Sequence, residues 1–129
     1  MPTPAKILIV DDQELVRRTV RTMLADRTHW KIYEASDGKQ AVDQTQRLHP
    51  DVAVLDIVMP VMSGIEAAYE MRRLAPETKI LLMSSHYTPQ EAASLARLFG
   101  DGNFISKSEM GTDLVAAINR LLPSESRVD

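Results

Sequence analysis

Five times along this chain a short apolar run gives way to a longer stretch whose apolar residues recur at helical spacing. That alternation is the feature that most restricts the fold. A run apolar at almost every position reads as a strand buried on both faces, and apolar residues three and four apart read as one face of a helix. Ala5 to Val10 is such a run apart from Lys6. From Gln13 to about Arg27, Val16, Val20, Met23 and Leu24 recur at helical spacing. Trp30 to Ala35 alternates like a strand near a sheet edge. Asp37-Gly38 then opens a helix with Ala41, Val42, Thr45 and Leu48 on its inner face. Asp51 to Asp56 is the third strand and Gly64 to Leu74 the third helix, with Ile65, Ala68 and Met71 inward. Lys79 to Ser84 is the fourth strand. Pro89 to Leu98 is the fourth helix, with proline in the first turn, where the missing N–H does no harm. Asn103 to Ser106 is a short fifth strand, and Thr112 to Leu122 is a helix presenting Leu114, Ala117, Ile118 and Leu121.

Five strand–helix units with short connections imply a five-stranded parallel sheet covered on both faces. Right-handed crossovers make this a doubly wound open α/β sheet, a (βα)5 architecture. At 129 residues the chain is one domain's worth, placed at 1–122, and the polar stretch from Pro123 to Asp129 reads as a linker or tail. The start of the chain, Met1-Pro2-Thr3-Pro4, has no basic segment and no long apolar run, so neither a signal peptide nor a membrane span is expected. The absence of cysteine excludes disulfides and thiolate metal sites and fits a cytoplasmic location. A net charge of −3 provides no field for nucleic acid. Arg17, Arg18 and Arg21 read as a solvated helix face in preference to a phosphate-binding patch.

Ligands of doubly wound sheets sit at the carboxyl ends of the strands, near the switch in strand order. Here those ends carry Asp11-Asp12, Asp56, Ser84 and, one residue beyond the fifth strand, Lys107. Three carboxylates packed together need a compensating cation. An incomplete set of hard oxygen ligands suits Mg²⁺, which keeps several waters and shares its coordination with phosphate. Each residue alone also has a plainer use. Asp12 has the chemistry of an N-cap for a helix starting at Gln13, Asp56 and Ser84 of turn residues, and Lys107 of a solvated charge. Their coincidence at one sheet edge favours a site.

Asp11-Asp12 after the first strand, Asp56-Ile57-Val58-Met59-Pro60 followed by Gly64, Ser84 after an apolar strand, and Lys107 after Phe104-Ile105-Ser106 together resemble the receiver domain of bacterial two-component response regulators. The resemblance covers about Lys6 to Leu122. Met83-Ser84-Ser85-His86 and a Lys107 followed by Ser108 look most like the NarL/FixJ subfamily. It implies a flavodoxin-like fold and a signalling switch in which Asp56 is the nucleophile. Asp56 would accept a phosphoryl group from a sensor histidine kinase, a phosphotransfer protein or a small phosphodonor. Asp11, Asp12, Asp56 and the carbonyl oxygen of Val58 would hold Mg²⁺, and Lys107 would share the phosphoryl charge. Ser84 would hydrogen-bond the phosphoryl group, and Phe104 would turn inward in concert with it. Gly64 would permit a tight loop after Pro60, where a Cβ is expected to be unwelcome. The implied partners are the kinase, a C-terminal DNA-binding output domain and a second copy docking through the fourth helix, fifth strand and fifth helix. Direct nucleic-acid binding and membrane contact are not implied. Such a domain is no general enzyme; it catalyses its own phosphotransfer and slow dephosphorylation.

The chain departs from the usual receiver pattern at several points. Ser108 stands where proline often follows the lysine, so a cis bond there would cost about 3 kcal/mol and the loop is expected to differ. Phe104 stands where tyrosine is common and, lacking the phenol oxygen, is expected inward even without phosphate. Gly102-Asn103 replaces a commoner Asp-Gly, Ser84 replaces a frequent threonine, and Ser85 replaces a smaller alanine. Three rivals remain. A flavodoxin-type cofactor protein would place its flavin phosphate against Asp11-Asp12-Gln13-Glu14, which repels it. A phosphohydrolase with an aspartate nucleophile needs an acid two residues on, where Val58 stands. A pseudo-receiver acting only as an interaction module is disfavoured by the complete set Asp11, Asp12, Asp56, Ser84 and Lys107.

Overall fold

The computed structural model describes residues 4–27, 29–59, 61–85, 87–97 and 103–123. Pro60, His86, Leu98, Gly102 and the tail 124–129 lie outside the described residues. The elements follow the predicted alternation: β1 (Lys6–Val10), α1 (Glu14–Arg27), β2 (Lys31–Ala35), α2 (Gly38–Leu48), β3 (Val52–Asp56), α3 (Gly64–Leu74), β4 (Lys79–Ser84), α4 (Pro89–Ala96), β5 (Phe104–Ser106) and α5 (Met110–Leu121). All strand pairings are parallel, in the order β2-β1-β3-β4-β5. The chain steps outward from β1 to β2, then returns to the other side of β1 for β3. The carboxyl ends of β1 and β3 therefore flank the switch point.

Strand alternation divides the core in two. Leu8, Val10, Ala53, Leu55, Ile80 and Leu82 face α2 and α3, meeting Ala41, Ala67, Ala68 and Met71. Ile7, Ile9, Val52, Val54, Leu81 and Met83 face α1 and α5, meeting Val20, Leu24, Leu114 and Ile118. Each fully buried Leu or Ile here contributes about 1.5–3 kcal/mol of transfer free energy. That apolar sandwich sets the rigid edge on which the strand-end residues stand. The helix starts are specified locally. Asp37 caps α2 by accepting from the Gln40 N–H at 2.8 Å. Ser63 with Glu66 and Thr88 with Glu91 form capping boxes on α3 and α4.

Several boundaries differ from the sequence reading. The first helix begins at Glu14, not Gln13, whose carbonyl accepts from the Arg17 N–H at 3.1 Å. The first, second and third strands each start one residue later than expected, at Lys6, Lys31 and Val52, and the fifth starts at Phe104. The last helix begins earlier, at Met110, because a 3₁₀ turn over Lys107–Glu109 leads into it. There is no cis peptide among the described residues; Ser106 and Ser108 instead share a 2.9 Å hydroxyl–hydroxyl bond across Lys107. Leu122, just past α5, is buried against the α1–α5 side of the core.

The basic cluster is the solvated face expected at Arg18 and Arg21 but not at Arg17. Arg17 and Arg21 both pair with Glu34 on β2, at 3.2 and 2.6 Å. Arg18, paired with Glu14 within the helix, and Arg21 both stay on the outside, and only Arg17 of the three is largely covered. The sequence could not show this, because Glu34 reaches the arginines through strand pairing of β1 with β2.

Candidate functional site

Asp11 follows β1 by one residue and is completely buried. Its N–H donates to the Ala35 carbonyl at 3.2 Å, and its Oδ1 accepts from the Gln13 N–H at 2.9 Å. Asp11, not Asp12, thus shapes the turn into α1. The N-cap role considered for Asp12 is not realised, and Asp12 stays exposed beside the buried pair. Asp56 is the last residue of β3 and only 2% exposed. Its Oδ1 accepts a long hydrogen bond of 3.3 Å from the Val58 N–H, so the turn role holds alongside any chemical one.

Lys107 reaches in from the 3₁₀ turn after β5, 51 residues along the chain from Asp56. Its ammonium lies 2.8 Å from Asp11 Oδ2 and 3.1 Å from Asp56 Oδ2. Both contacts are ion pairs at hydrogen-bonding distance. Burial pushes the Asp56 carboxyl above its usual range; Lys107 opposes this and the Asp11 charge adds to it. For Lys107, burial works to lower its pKa, but its contacts with Asp11 and Asp56 outweigh that and hold it above its usual value. The ammonium is therefore charged throughout the physiological range.

One carboxylate oxygen from each of Asp11, Asp12 and Asp56 lies within 4.8 Å of the others. At that separation the buried pair Asp11 and Asp56 repel by about 3 kcal/mol at an effective dielectric constant near 20. Lys107 balances one of the three charges and leaves two. An all-carboxylate set with one exposed member and two charges left after Lys107 fits a hard divalent cation that retains waters. This cluster can bind a metal.

Of the remaining predicted residues, Ser84 stands at the same sheet edge and Phe104 two residues back along β5. Ser84 ends β4, 1% exposed, and is paired in register with Ser106. Val58 is exposed on the loop two residues past Asp56. Phe104 is half-buried and packed against the core on the α2–α3 side. A Cβ at Gly64 is unwelcome as expected, since it would lie 2.1 Å from the Asp56 carbonyl oxygen. Gly38 is similar, since its Cβ would meet the Met62 carbonyl at 2.5 Å. Helix α2 thus comes close to Met62, and α3 to the backbone of Asp56 and Ile57. Between Asp56 and α3, Val61 adopts φ of 70°, a left-handed conformation costly for a β-branched residue.

Sequence reading missed one contact. Arg17 donates through Nη1 to the Asp11 carbonyl at 2.6 Å. The usable signal was its place one turn after Gln13, on the side of the helix that starts beside Asp11.

The wider comparisons agree with this geometry. The chain is 31% identical over 117 residues to the chemotaxis protein CheY of Thermotoga maritima, covering 90% of this chain and 96% of that one. It is 29% identical to the response regulator protein VraR of Staphylococcus saprophyticus, covering 95% of this chain but 59% of that protein. A solved two-component response regulator of the LuxR family from Aurantimonas superposes with a TM-score of 0.84 at 29% identity, over 97% of this chain and 89% of that one. Relatives of more than one subfamily therefore match, and the sheet is the flavodoxin-like doubly wound one expected. No helix among the described residues is long and apolar enough to cross a membrane. The pattern of the response regulator receiver domain matches residues 7–119, and with the acid cluster and lysine at the switch point the chain belongs to that family.

Proposed function

We propose that this receiver domain, residues 1–122, is a switch set by phosphorylation of Asp56. The observation that carries the reading is the Asp56 carboxylate, buried at the switch point and ion-paired to Lys107 within a cluster of two further carboxylates. An Asp56 oxygen attacks the phosphorus of a phosphohistidine or small acyl phosphate. The new P–O bond forms as the bond to the donor breaks, and the departing imidazole or carboxylate keeps its electron pair. The product is an acyl phosphate on Asp56.

The roles of the neighbours follow from their charge. Asp11, Asp12, Asp56 and the Val58 carbonyl would hold Mg²⁺, which when bound neutralises charge on the phosphoryl oxygens. Lys107 exchanges part of its pairing with Asp56 for the incoming phosphoryl oxygens, so one cation serves both states. Ser84 donates its hydroxyl to the phosphoryl group, and Phe104 follows inward. The face made by α4, β5 and α5 then changes its affinity for a partner or a second copy. A histidine kinase or phosphotransfer protein in the cytoplasm supplies the phosphoryl group. VraR extends well beyond the matched region, which suits a transcriptional output domain of the NarL/FixJ kind following a tail at 123–129.

Intact-mass measurement after incubation with acetyl phosphate and Mg²⁺ tests the core of this. The native chain gains one phosphoryl mass and Asp56→Asn gains none. A variant that still gains it at the native level would move the acceptor elsewhere.

A further inference from the structure

The residue that sets the direction of the acidic cluster lies behind it. The guanidinium of Arg17 grips the peptide joining Asp11 to Asp12, with Nη1 2.6 Å from the Asp11 carbonyl oxygen. The orientation of that peptide governs where both carboxylates point. Arg17 cannot swing freely, because its Nε pairs with Glu34 Oε1 at 3.2 Å and its side chain is 15% exposed. Glu34 is held in turn: Arg21 Nε binds its other oxygen at 2.6 Å and Arg21 Nη2 donates to the Ile32 carbonyl at 2.9 Å. A charged fork fixed at one end and bonded to a carbonyl at the other is a rigid strut. Neither Arg17 nor Glu34 touches the phosphoacceptor chemistry.

We infer that Arg17 is a positioning residue for the cation site, pre-aligning Asp11 and Asp12 through their shared peptide. The inference rests on the reading of Asp11 and Asp12 as Mg²⁺ ligands. Groups that orient metal ligands from behind change metal affinity when removed, even though they never meet the ion. The structure also contains its own control. Arg21 makes the same ion pair with Glu34 and a similar bond to a backbone carbonyl, but that carbonyl belongs to Ile32. A merely structural staple between α1 and β2 would be weakened alike by loss of either arginine.

Mg²⁺ is titrated into the full chain by calorimetry without any phosphodonor, for the native protein, Arg17→Met, Arg17→Lys and Arg21→Met, and each variant is melted separately. Arg17→Met keeps the apolar stem and should weaken Mg²⁺ binding by about tenfold or more. Arg17→Lys should recover part of it, since an ammonium reaches one of the two partners but not both. Arg21→Met should melt lower but lose clearly less Mg²⁺ affinity than Arg17→Met, since it loosens Glu34 yet leaves the Arg17 bond to the Asp11 carbonyl in place. Native-like affinity in Arg17→Met, or an equal loss in Arg21→Met, overturns the inference. Failure of the native chain itself to bind Mg²⁺ is a different result, and it would remove the ligand reading on which the strut depends.

Discussion

Gly64 offers the sharpest test of how the site is built. It is the first residue of α3, where an alanine would ordinarily be welcome, since glycine costs up to about 1 kcal/mol relative to alanine in a helix. Here a Cβ would lie 2.1 Å from the Asp56 carbonyl oxygen and 2.9 Å from both the Asp56 carbonyl carbon and Ile57 Cα. All three are backbone atoms, so no side chain can rotate away. Reaching even 3.0 Å requires 0.9 Å of movement between α3 and the end of β3. That movement also stretches the 2.9 Å bond from the Gly64 N–H to the Ile57 carbonyl. Overpacking of this kind together with a weakened hydrogen bond costs about 2–4 kcal/mol. Gly111 in α5 is the matched control, because a Cβ there meets nothing within 4 Å. Gly111→Ala should stabilise by up to about 1 kcal/mol. In urea denaturation, with a slope of about 1.5 kcal/mol per molar, the Gly64→Ala midpoint should fall by roughly 1.3–2.7 M while that of Gly111→Ala rises. Misplacing Asp56 by approaching 1 Å should also slow phosphorylation by up to about a hundredfold. A Gly64→Ala protein as stable as native, or two alanine variants shifting in the same direction, would refute the close-approach argument.

Two further outcomes are expected. Because burial raises the Asp56 pKa, the folded state binds that proton more readily than the unfolded chain, and its ionisation costs stability as pH rises through the folded value. Without metal, Asp56→Asn should therefore melt above the native protein at neutral pH, with the gap closing as pH falls toward the ordinary aspartate range; a gap that widens on acidification would reverse the sign. The Thr45 hydroxyl, fully buried in α2 with no hydrogen-bond partner among the described residues, makes Thr45→Val stabilising by about 1 kcal/mol or more, read as a melting temperature about 4 °C higher. A lower melting temperature would mean that the hydroxyl has a partner in solution.

Much of the architecture was written locally. Apolar runs such as Val52 to Leu55 can be satisfied only by a strand covered on both faces, and the helix starts at Asp37, Ser63 and Thr88 are chemical signals carried within four residues. The identity and rough location of the acid cluster followed from the same pattern, because successive parallel strands deliver their carboxyl ends to one edge. Distances and partners did not. Lys107 bridging Asp11 and Asp56 depends on β5 lying beyond β4, and Asp12 lost its capping role because α1 begins two residues beyond it, at Glu14. Likewise Arg17 and Arg21 look like any solvated basic face until β2 sets Glu34 beside them, and which atoms crowd Gly64 is fixed only when α3 is pressed against the backbone of Asp56. Periodicity along a chain records which face of an element is apolar, so it could reveal these layers and edges. Which polar atoms finally meet is decided by strand order and by approaches of a few tenths of an ångström between elements far apart in the chain, and only the packed tertiary structure contains those.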